Sequence, residues 1–248
     1  MAYAVPAAGA SRLSAGAART ALLLAWALHA GSLAWGLVGD TPARFGFGPA
    51  LSMTAWLVLT AYAVESQLFP QMQARWMLAG LGALAVLLAC VFPGQPLHVA
   101  ASPWLPLHLA LGIASYGLFA AAVVHAALMT RAEQQIRRAA GQYGGIPLLT
   151  LERLTFRFVA AGFVLLTATL FAGWLFGESL YGRATRWDHK SVFSLLAWVT
   201  FAILLLGRSR FGWRGRNAVR VLYGGAALLL LAYVGSRFVL EVMLGRSA

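Results

Sequence analysis

The sequence predicts an all-α fold: a polytopic integral membrane helix bundle with about seven transmembrane helices. Hydrophobic residues make up 60% of the 248 residues, and charged residues make up only 10%. Soluble domains carry about 25% charged residues, so this composition excludes an ordinary soluble domain. Apolar segments of roughly 17–25 residues, the length that crosses a bilayer, recur along the whole chain. Composition and segment length together indicate an integral membrane protein.

Seven apolar segments reach this length or nearly so. In chain order they span residues 21–38, 50–69, 76–92, 105–129, 156–176, 191–206 and 219–243. The first follows two arginines and superficially resembles a secretory signal peptide. No convincing small-residue cleavage site follows before Asp40, so we expect this helix to be retained. There is no internal repeat and no separate soluble domain, and we expect residues 1–248 to form a single transmembrane domain.

The arginines alternate between connections, which is the pattern of the positive-inside rule. They are concentrated in the N-terminus and in the second, fourth and sixth connections, which we assign to the cytoplasm. The outward loops are then residues 39–49, 93–104 and 177–190. We expect a bacterial inner (cytoplasmic) membrane protein with a cytoplasmic N-terminus. Its net charge of +12 is spread in short runs between apolar segments, so membrane lipid, and not nucleic acid, is the expected partner.

Several function classes lack their characteristic residues in this sequence. It contains no nucleophile–base grouping, no phosphate-binding loop, no HExxH metal motif and no CxxCH haem-attachment motif. The single cysteine, Cys90, cannot form an intrachain disulfide. We therefore do not expect an enzyme, and the sequence identifies no small-molecule substrate.

Histidines are the first candidate site residues, because imidazole is both a metal ligand and a base. His98, His108 and His189 share the predicted outer face. His125 lies 17 residues after His108, roughly 25 Å along a helix axis, so those two cannot serve one site. His108 and His189 come from different helices at one depth and could ligate a haem iron from its two faces. Alternatively, each is a helix-end residue that lipid headgroups or water satisfy.

The segment before the sixth helix carries the other candidates. Asp188 either caps that helix or belongs to a site. Arg186 and Lys190 could pair with carboxylates such as the two haem propionates, or with lipid headgroups. Trp174 and Trp187 bracket the third outward loop, and they could wall a flat apolar ligand or belong to the aromatic belt at the membrane interface.

Long stretches of the C-terminal half resemble the cytochrome c assembly membrane protein family (CcsA/CcmC type), and most closely its YpjD-like/HemX-like branch. The resemblance covers residues 105–244. The stretches, in chain order, are PLHLALGIASYGLFAAAVVHAAL, AAGFVLLTATLFAGWLFGE, RWDHKSVFSLLAWVTFAILLLGR, GWRGRNAVR and LLLAYVGSRFVLEVML.

The resemblance implies a site for non-covalently held haem b. The family handles haem at an outward tryptophan-rich loop that two axial histidines flank. His108 matches the first of these histidines, Trp187 and Asp188 match the end of the tryptophan-rich motif, and Lys190 matches a lysine that follows it. His189 stands where the family has a proline, and no later histidine exists to match the second ligand. Either His189 takes that position or the haem site is degenerate.

Three functions remain open from the sequence. The first is a haem-binding or haem-handling protein that assists c-type cytochrome assembly together with other assembly proteins. The second is a non-haem accessory or regulatory protein, either a HemX-like effector of tetrapyrrole synthesis or a stabiliser of another membrane complex. The third, transport of a small solute or ion, rests only on the intramembrane residues Glu65, His29 and His125.

Overall fold

The computed structural model describes residues 14–38, 44–68, 75–96, 104–137, 147–175 and 189–239. These residues form seven long helices and two very short strands. The helices are α1 Ala15–Val38, α2 Phe47–Leu68, α3 Arg75–Val91, α4 Leu105–Arg137, α5 Leu148–Leu175, α6 His189–Phe211 and α7 Gly215–Leu230. After α7 the chain continues through a π-helical segment, Leu231–Gly235, into one more helical turn, α8 Ser236–Phe238.

The predicted all-α polytopic membrane fold is confirmed, since each of the seven predicted segments coincides with one long helix. Five helical stretches within the described residues are long and apolar enough to cross a membrane, and Leu78–Val91 is an apolar but shorter helix. The five are Phe47–Gln67, Leu105–Arg137, Leu148–Leu175, His189–Phe211 and Gly215–Gly235. The fourth helix continues past its apolar segment, since α4 extends to Arg137.

The fifth helix begins at Leu148, whereas its apolar segment begins at residue 156. The added turns contain Glu152 and Thr155, both of which are buried. Hydropathy alone places the start of this segment after these polar residues. Their side chains have partners inside the fold, so the helix begins earlier than the apolar run.

The chain divides into two compact units. The first contains α1, α2, α3 and the two strands, and the second contains α4 to α8. In the first unit, α1 and α2 are antiparallel and their side chains interlock. Trp26 stacks on Trp56 at 5.5 Å between ring centroids and donates to Thr60 Oγ1 at 2.8 Å. His29 hydrogen-bonds Ser52 Oγ across the same interface at 2.8 Å, as expected of polar residues that join membrane helices.

Strands β1 Arg44–Phe45 and β2 Gln95–Pro96 pair antiparallel near one end of α2 and α3. Arg44 donates to Gly94 O from Nε at 3.1 Å and from Nη2 at 2.8 Å. Gly94 has φ +76, and a Cβ there would lie 2.5 Å from Phe45 O, so only glycine fits this turn. The two strands come from the first and second predicted outward loops, and their pairing requires both loops to lie on the same side of the membrane.

In the second unit α4 packs antiparallel on α5 through small residues. Ser115 donates from Oγ to Gly162 O at 3.1 Å, and a Cβ on Gly162 would lie 3.2 Å from the Phe119 ring. Small residues allow this close backbone approach, which is how membrane helices gain packing energy. Phe119 also stacks on Phe201 of α6 at 3.8 Å between centroids.

Helices α6 and α7 are joined by a three-residue turn. Gly212 ends α6 in the left-handed region with φ +62, a frequent helix-terminating conformation for glycine. Trp213 folds back, and its backbone N–H donates to Gly207 O at 3.0 Å. A Cβ on Gly207 would lie 2.4 Å from the Trp213 ring. The four long helices of this unit therefore run alternately up and down.

Candidate functional site

The predicted site residues that the structure describes lie at one end of the second unit. At this end α4 begins, α5 ends, α6 begins and the π-helical segment follows α7. We call it the histidine end. The opposite end, where α4 ends and α5 begins, is called the arginine end.

His108 lies in the first turn of α4, where its backbone N–H donates to Trp104 O at 3.0 Å. Its imidazole is half-buried and packs against α5. A Cβ on Gly173 would lie 3.3 Å from His108 Cε1 and 3.9 Å from Nδ1, so the ring occupies the space that a side chain at 173 would need. The backbone of Thr169 lies within hydrogen-bonding reach of the same ring. Helix α5 thus fixes the position of the imidazole.

Lys190 brings a positive charge to the same end from α6. It lies in the first turn of α6 and is half-buried. Its Nζ is 5.8 Å from the centroid of the Tyr233 ring, a cation–π distance. The Lys190 charge also acts on the His108 imidazole. Residues of α4, α6 and the π-helical segment therefore converge around one imidazole and one ammonium group.

The chain just before the π-helical segment is tied to α4 by a partly buried hydrogen bond. Tyr116 donates from its hydroxyl to Leu229 O at 2.7 Å, immediately before the segment that carries Tyr233. π-Helical turns inside α-helices are rare and frequently mark functional sites. Tyr233 of this segment lies beneath Lys190.

The structure places the other predicted site residues differently. His189 is the first residue of α6, next to Lys190, and its side chain is exposed. Trp174 is 69% exposed and contacts Phe171 at 5.9 Å between ring centroids. Arg186, Trp187 and Asp188 lie outside the described residues, as does His98. Of the predicted set, the structure brings His108 and Lys190 together. Within the described ranges, no group of three or more His, Cys, Asp or Glu could hold a metal ion.

Sequence reasoning missed three residues of the histidine end: Gly173, Tyr116 and Tyr233. Tyr116 lies eight residues after His108. A tyrosine hydroxyl in an apolar helix usually has a hydrogen-bond partner, so this residue could have been identified from the sequence. Gly173 and Tyr233 carried no comparable indication, because their roles depend on contacts between helices distant in sequence.

The arginine end contains a buried carboxylate that the sequence analysis also missed. Glu152 of α5 is 9% exposed and accepts a hydrogen bond from Arg208 of α6, while Arg214 Nε lies 3.7 Å from the same carboxylate. The Arg208 guanidinium lies 4.3 Å from the centroid of the Phe156 ring. A cavity of about 10 Å³ beside these residues has room for one water molecule. This arrangement joins helices and leaves no room for an organic ligand.

Comparison with known proteins relates this chain to membrane proteins of cytochrome assembly. The family described as "Cytochrome C assembly protein" matches residues 17–244, a span that also includes the first unit. The chain is 29% identical over 224 residues to "Inner membrane protein YpjD" of Escherichia coli K12, covering 88% of this chain and 82% of that protein. It is 26% identical over 174 residues to "Cytochrome c biogenesis protein CcsA" of Synechococcus, covering 68% of this chain and 56% of that protein. The same protein of Gloeobacter violaceus is 32% identical over 92 residues, or 37% of this chain and 27% of that one.

Proposed function

This chain belongs to the cytochrome c assembly protein family, and on that premise we propose that it is a multi-pass inner-membrane protein that handles haem during c-type cytochrome assembly. The observation that carries the proposal is the position of His108. It is an imidazole at a helix end, held against Gly173 by the packing of α4 on α5. We assign the haem function to the region 105–244, within one transmembrane domain of residues 1–248.

His108 has the environment of an axial ligand. A histidine that ligates a metal almost always has its ring oriented by a second contact, often with a backbone carbonyl. The Thr169 backbone is within reach to provide such a contact, and Gly173 leaves space for the ring. The residues present therefore fit a haem that is held through one imidazole on α4. Bound haem would supply an iron centre that accepts this nitrogen ligand.

Lys190 suits the acidic edge of the same cofactor. Haem b has two propionates, and a charged hydrogen bond from an ammonium group to a carboxylate is about twice as strong as a neutral one. The Lys190 ammonium is kept at the histidine end by the Tyr233 ring. We propose that Lys190 and Arg186 pair with the propionates, that Trp174 and Trp187 border the ring, and that Asp188 begins α6 as its cap.

His189 is the proposed second axial ligand. It begins α6 one residue before Lys190 and is exposed, so a haem could reach it from outside the bundle. The arginine content of the opposite end supports an outward orientation of the histidine end and a cytoplasmic N-terminus. We further propose that the protein acts by holding and presenting haem to other assembly proteins rather than by catalysing a reaction.

The test is an absorption spectrum of the detergent-purified protein, before and after addition of haemin. We expect a Soret band in the wild type and its loss in His108→Ala. His125→Ala is the matched control, because His125 lies on the same helix and donates from Nδ1 to Ala121 O within that helix at 2.8 Å. It should retain the band. A wild-type protein without a Soret band after haemin addition would sink the proposal, and so would equal loss in both variants.

The second candidate is a non-haem membrane accessory or regulator, with other assembly proteins as partners. The sequence favours it because no histidine follows His189, so the family's second ligand position has no matching residue. This function predicts that a His108→Ala/His189→Ala double variant still complements a deletion strain in cytochrome c production. Loss of complementation together with loss of the Soret band would exclude it.

A further inference from the structure

The arginine end of the second unit has far more positive charge than its own carboxylates can balance. Two stretches of sequence, 130–157 and 207–220, include the described helix ends found here. They contain the arginines Arg131, Arg137, Arg138, Arg153, Arg157, Arg208, Arg210, Arg214, Arg216 and Arg220. Their only acidic residues are Glu133 and Glu152. An external anion is therefore needed to balance most of this charge.

The two carboxylates are already engaged in ion pairs within the described residues. Glu133 pairs with Arg137 at 3.4 Å in α4. Glu152 pairs with Arg208 and Arg214. The remaining arginines of α5 and α7 cannot obtain their counter-charge from these groups.

Those remaining arginines form two pairs with helical spacing. Arg153 and Arg157 are both exposed and lie four residues apart on α5, and Arg216 and Arg220 have the same spacing and exposure on α7. Residues four apart lie on one face of a helix, and like charges at this spacing repel each other. Local helix physics therefore disfavours both pairs unless an anion lies between or beside the guanidinium groups.

Each pair continues into an apolar stripe on the same helix face. On α5 the exposed face runs from Arg157 to Val164, which is 65% exposed. Seven residues are about 10 Å along a helix. On α7 and its continuation it runs from Arg220 through Tyr223, which is 38% exposed, to Leu231, which is 48% exposed. On both helices the outward face changes from arginine to apolar residues within a few turns. Such a change matches the boundary between phospholipid headgroups and acyl chains, where long basic side chains extend toward the headgroups.

We propose that these two arginine pairs, Arg153 with Arg157 and Arg216 with Arg220, bind the phosphates of anionic phospholipids in the surrounding leaflet. Arginine presents planar donor pairs that match phosphate oxygens, and each basic residue at a membrane surface strengthens binding to anionic lipid by about fivefold. The ligand is a phospholipid because the apolar stripe beside each pair offers contact area for acyl chains, which a free phosphate lacks. This site is independent of the proposed haem function.

The test is native mass spectrometry of the full-length protein in mixed micelles of phosphatidylglycerol and phosphatidylcholine. We expect the wild type to retain phosphatidylglycerol preferentially. The variants Arg153→Gln/Arg157→Gln and Arg216→Gln/Arg220→Gln should each lower this preference by at least about tenfold at their own site. The variant Arg137→Gln/Arg210→Gln is the matched control, since it removes the same charge from the same end but from two separate helices. It should lower the preference by clearly less than either pair variant, because Arg137 already pairs with Glu133.

Three results would overturn the proposal: equal retention of the two lipids by the wild type, an equal loss in the control variant, or displacement of the lipid by inorganic phosphate at the same concentration. The lysine variants Arg153→Lys/Arg157→Lys and Arg216→Lys/Arg220→Lys keep the positive charge. They distinguish an effect of lost charge from misfolding of the glutamine variants. They should retain the preference for phosphatidylglycerol, and unchanged helix content by circular dichroism should accompany every variant.

Discussion

His108 and His125 occupy the same helix, yet their surroundings give them different chemistry. His125 is buried, donates to Ala121 O in its own helix and contacts the Phe158 ring at 5.2 Å between centroids. His108 is half-buried at the helix end, against Gly173 of a second helix and under the influence of Lys190 from a third. The surroundings of His125 indicate a structural role within α4, whereas the position of His108 among three helices is the one on which the proposed ligand role rests.

The two ends of the second unit also differ in the groups that surround their charged side chains. At the arginine end, Glu152 is enclosed by Arg208 and Arg214, and the buried charges balance each other inside the protein. At the histidine end, Lys190 lies over the Tyr233 ring. We therefore assign a structural role to the Glu152–Arg208 pair, and we propose a binding role for Lys190.

The largest expected effect comes from removing the buried carboxylate with Glu152→Gln. Arg208 would then keep its charge beside Phe156 without a counter-charge, which should lower the free energy of unfolding by about 2–3 kcal/mol. The measurement is the thermal unfolding midpoint in detergent. The control is Glu133→Gln, whose partner Arg137 has a side chain 59% exposed, and it should cost less than about 0.5 kcal/mol. Equal destabilisation by both variants would contradict a structural role specific to Glu152.

A smaller effect is expected from Tyr116→Phe, which removes the bond between α4 and the backbone of α7. Losing the donor to Leu229 O should cost about 1 kcal/mol, because this carbonyl is then left without its partner inside the membrane. Tyr223→Phe is the comparison, since Tyr223 is 38% exposed and its hydroxyl interacts with the Thr130 side chain, away from the histidine end. If Tyr116→Phe also weakens haemin binding while Tyr223→Phe does not, the hydrogen bond that holds α7 against α4 is needed for haem binding at the histidine end.

The smallest effect should distinguish Gly112 on α4 from Gly173 on α5. Alanine at Gly112 meets Thr169 Cγ2 at 3.6 Å, an ordinary contact, so Gly112→Ala should stabilise α4 by about 0.5–1 kcal/mol. Alanine at Gly173 meets the His108 ring at 3.3 Å, and this crowding should cancel the gain. Unfolding midpoints of the two variants test this difference. Equal stabilisation by both would show that His108 is not fixed by α5.

The sequence predicted the helices well because hydrophobic length is a local property. All seven apolar segments appear as helices, including the short third one. The prediction of α5 began too late, since Glu152 and Thr155 interrupt the apolar run while their partners lie on other turns and helices. For the same reason Glu152 was missed: a buried carboxylate can be recognised only when the arginine that pairs with it is known.

The candidate site was predictable only in part. His108 and Lys190 were identified from residue type and helix-end position, and the structure brings them to one end. Gly173 and Tyr233 escaped notice because a glycine and a tyrosine in apolar segments are ordinary in sequence. His29 hydrogen-bonds Ser52 of the adjacent helix. For His125 the corresponding bond is made within its own helix instead.

The sequence by itself determined that this protein is an all-α, polytopic membrane protein of the cytochrome c assembly family, because helix length, hydropathy and ordered motifs are all written along the chain. Only the tertiary structure decided which helices bring their polar residues together. The antiparallel packing of α4 on α5 sets His108 against Gly173, and the π-helical segment sets Tyr233 beneath Lys190. These contacts join residues more than forty positions apart, and such pairings follow from packing geometry rather than from local sequence.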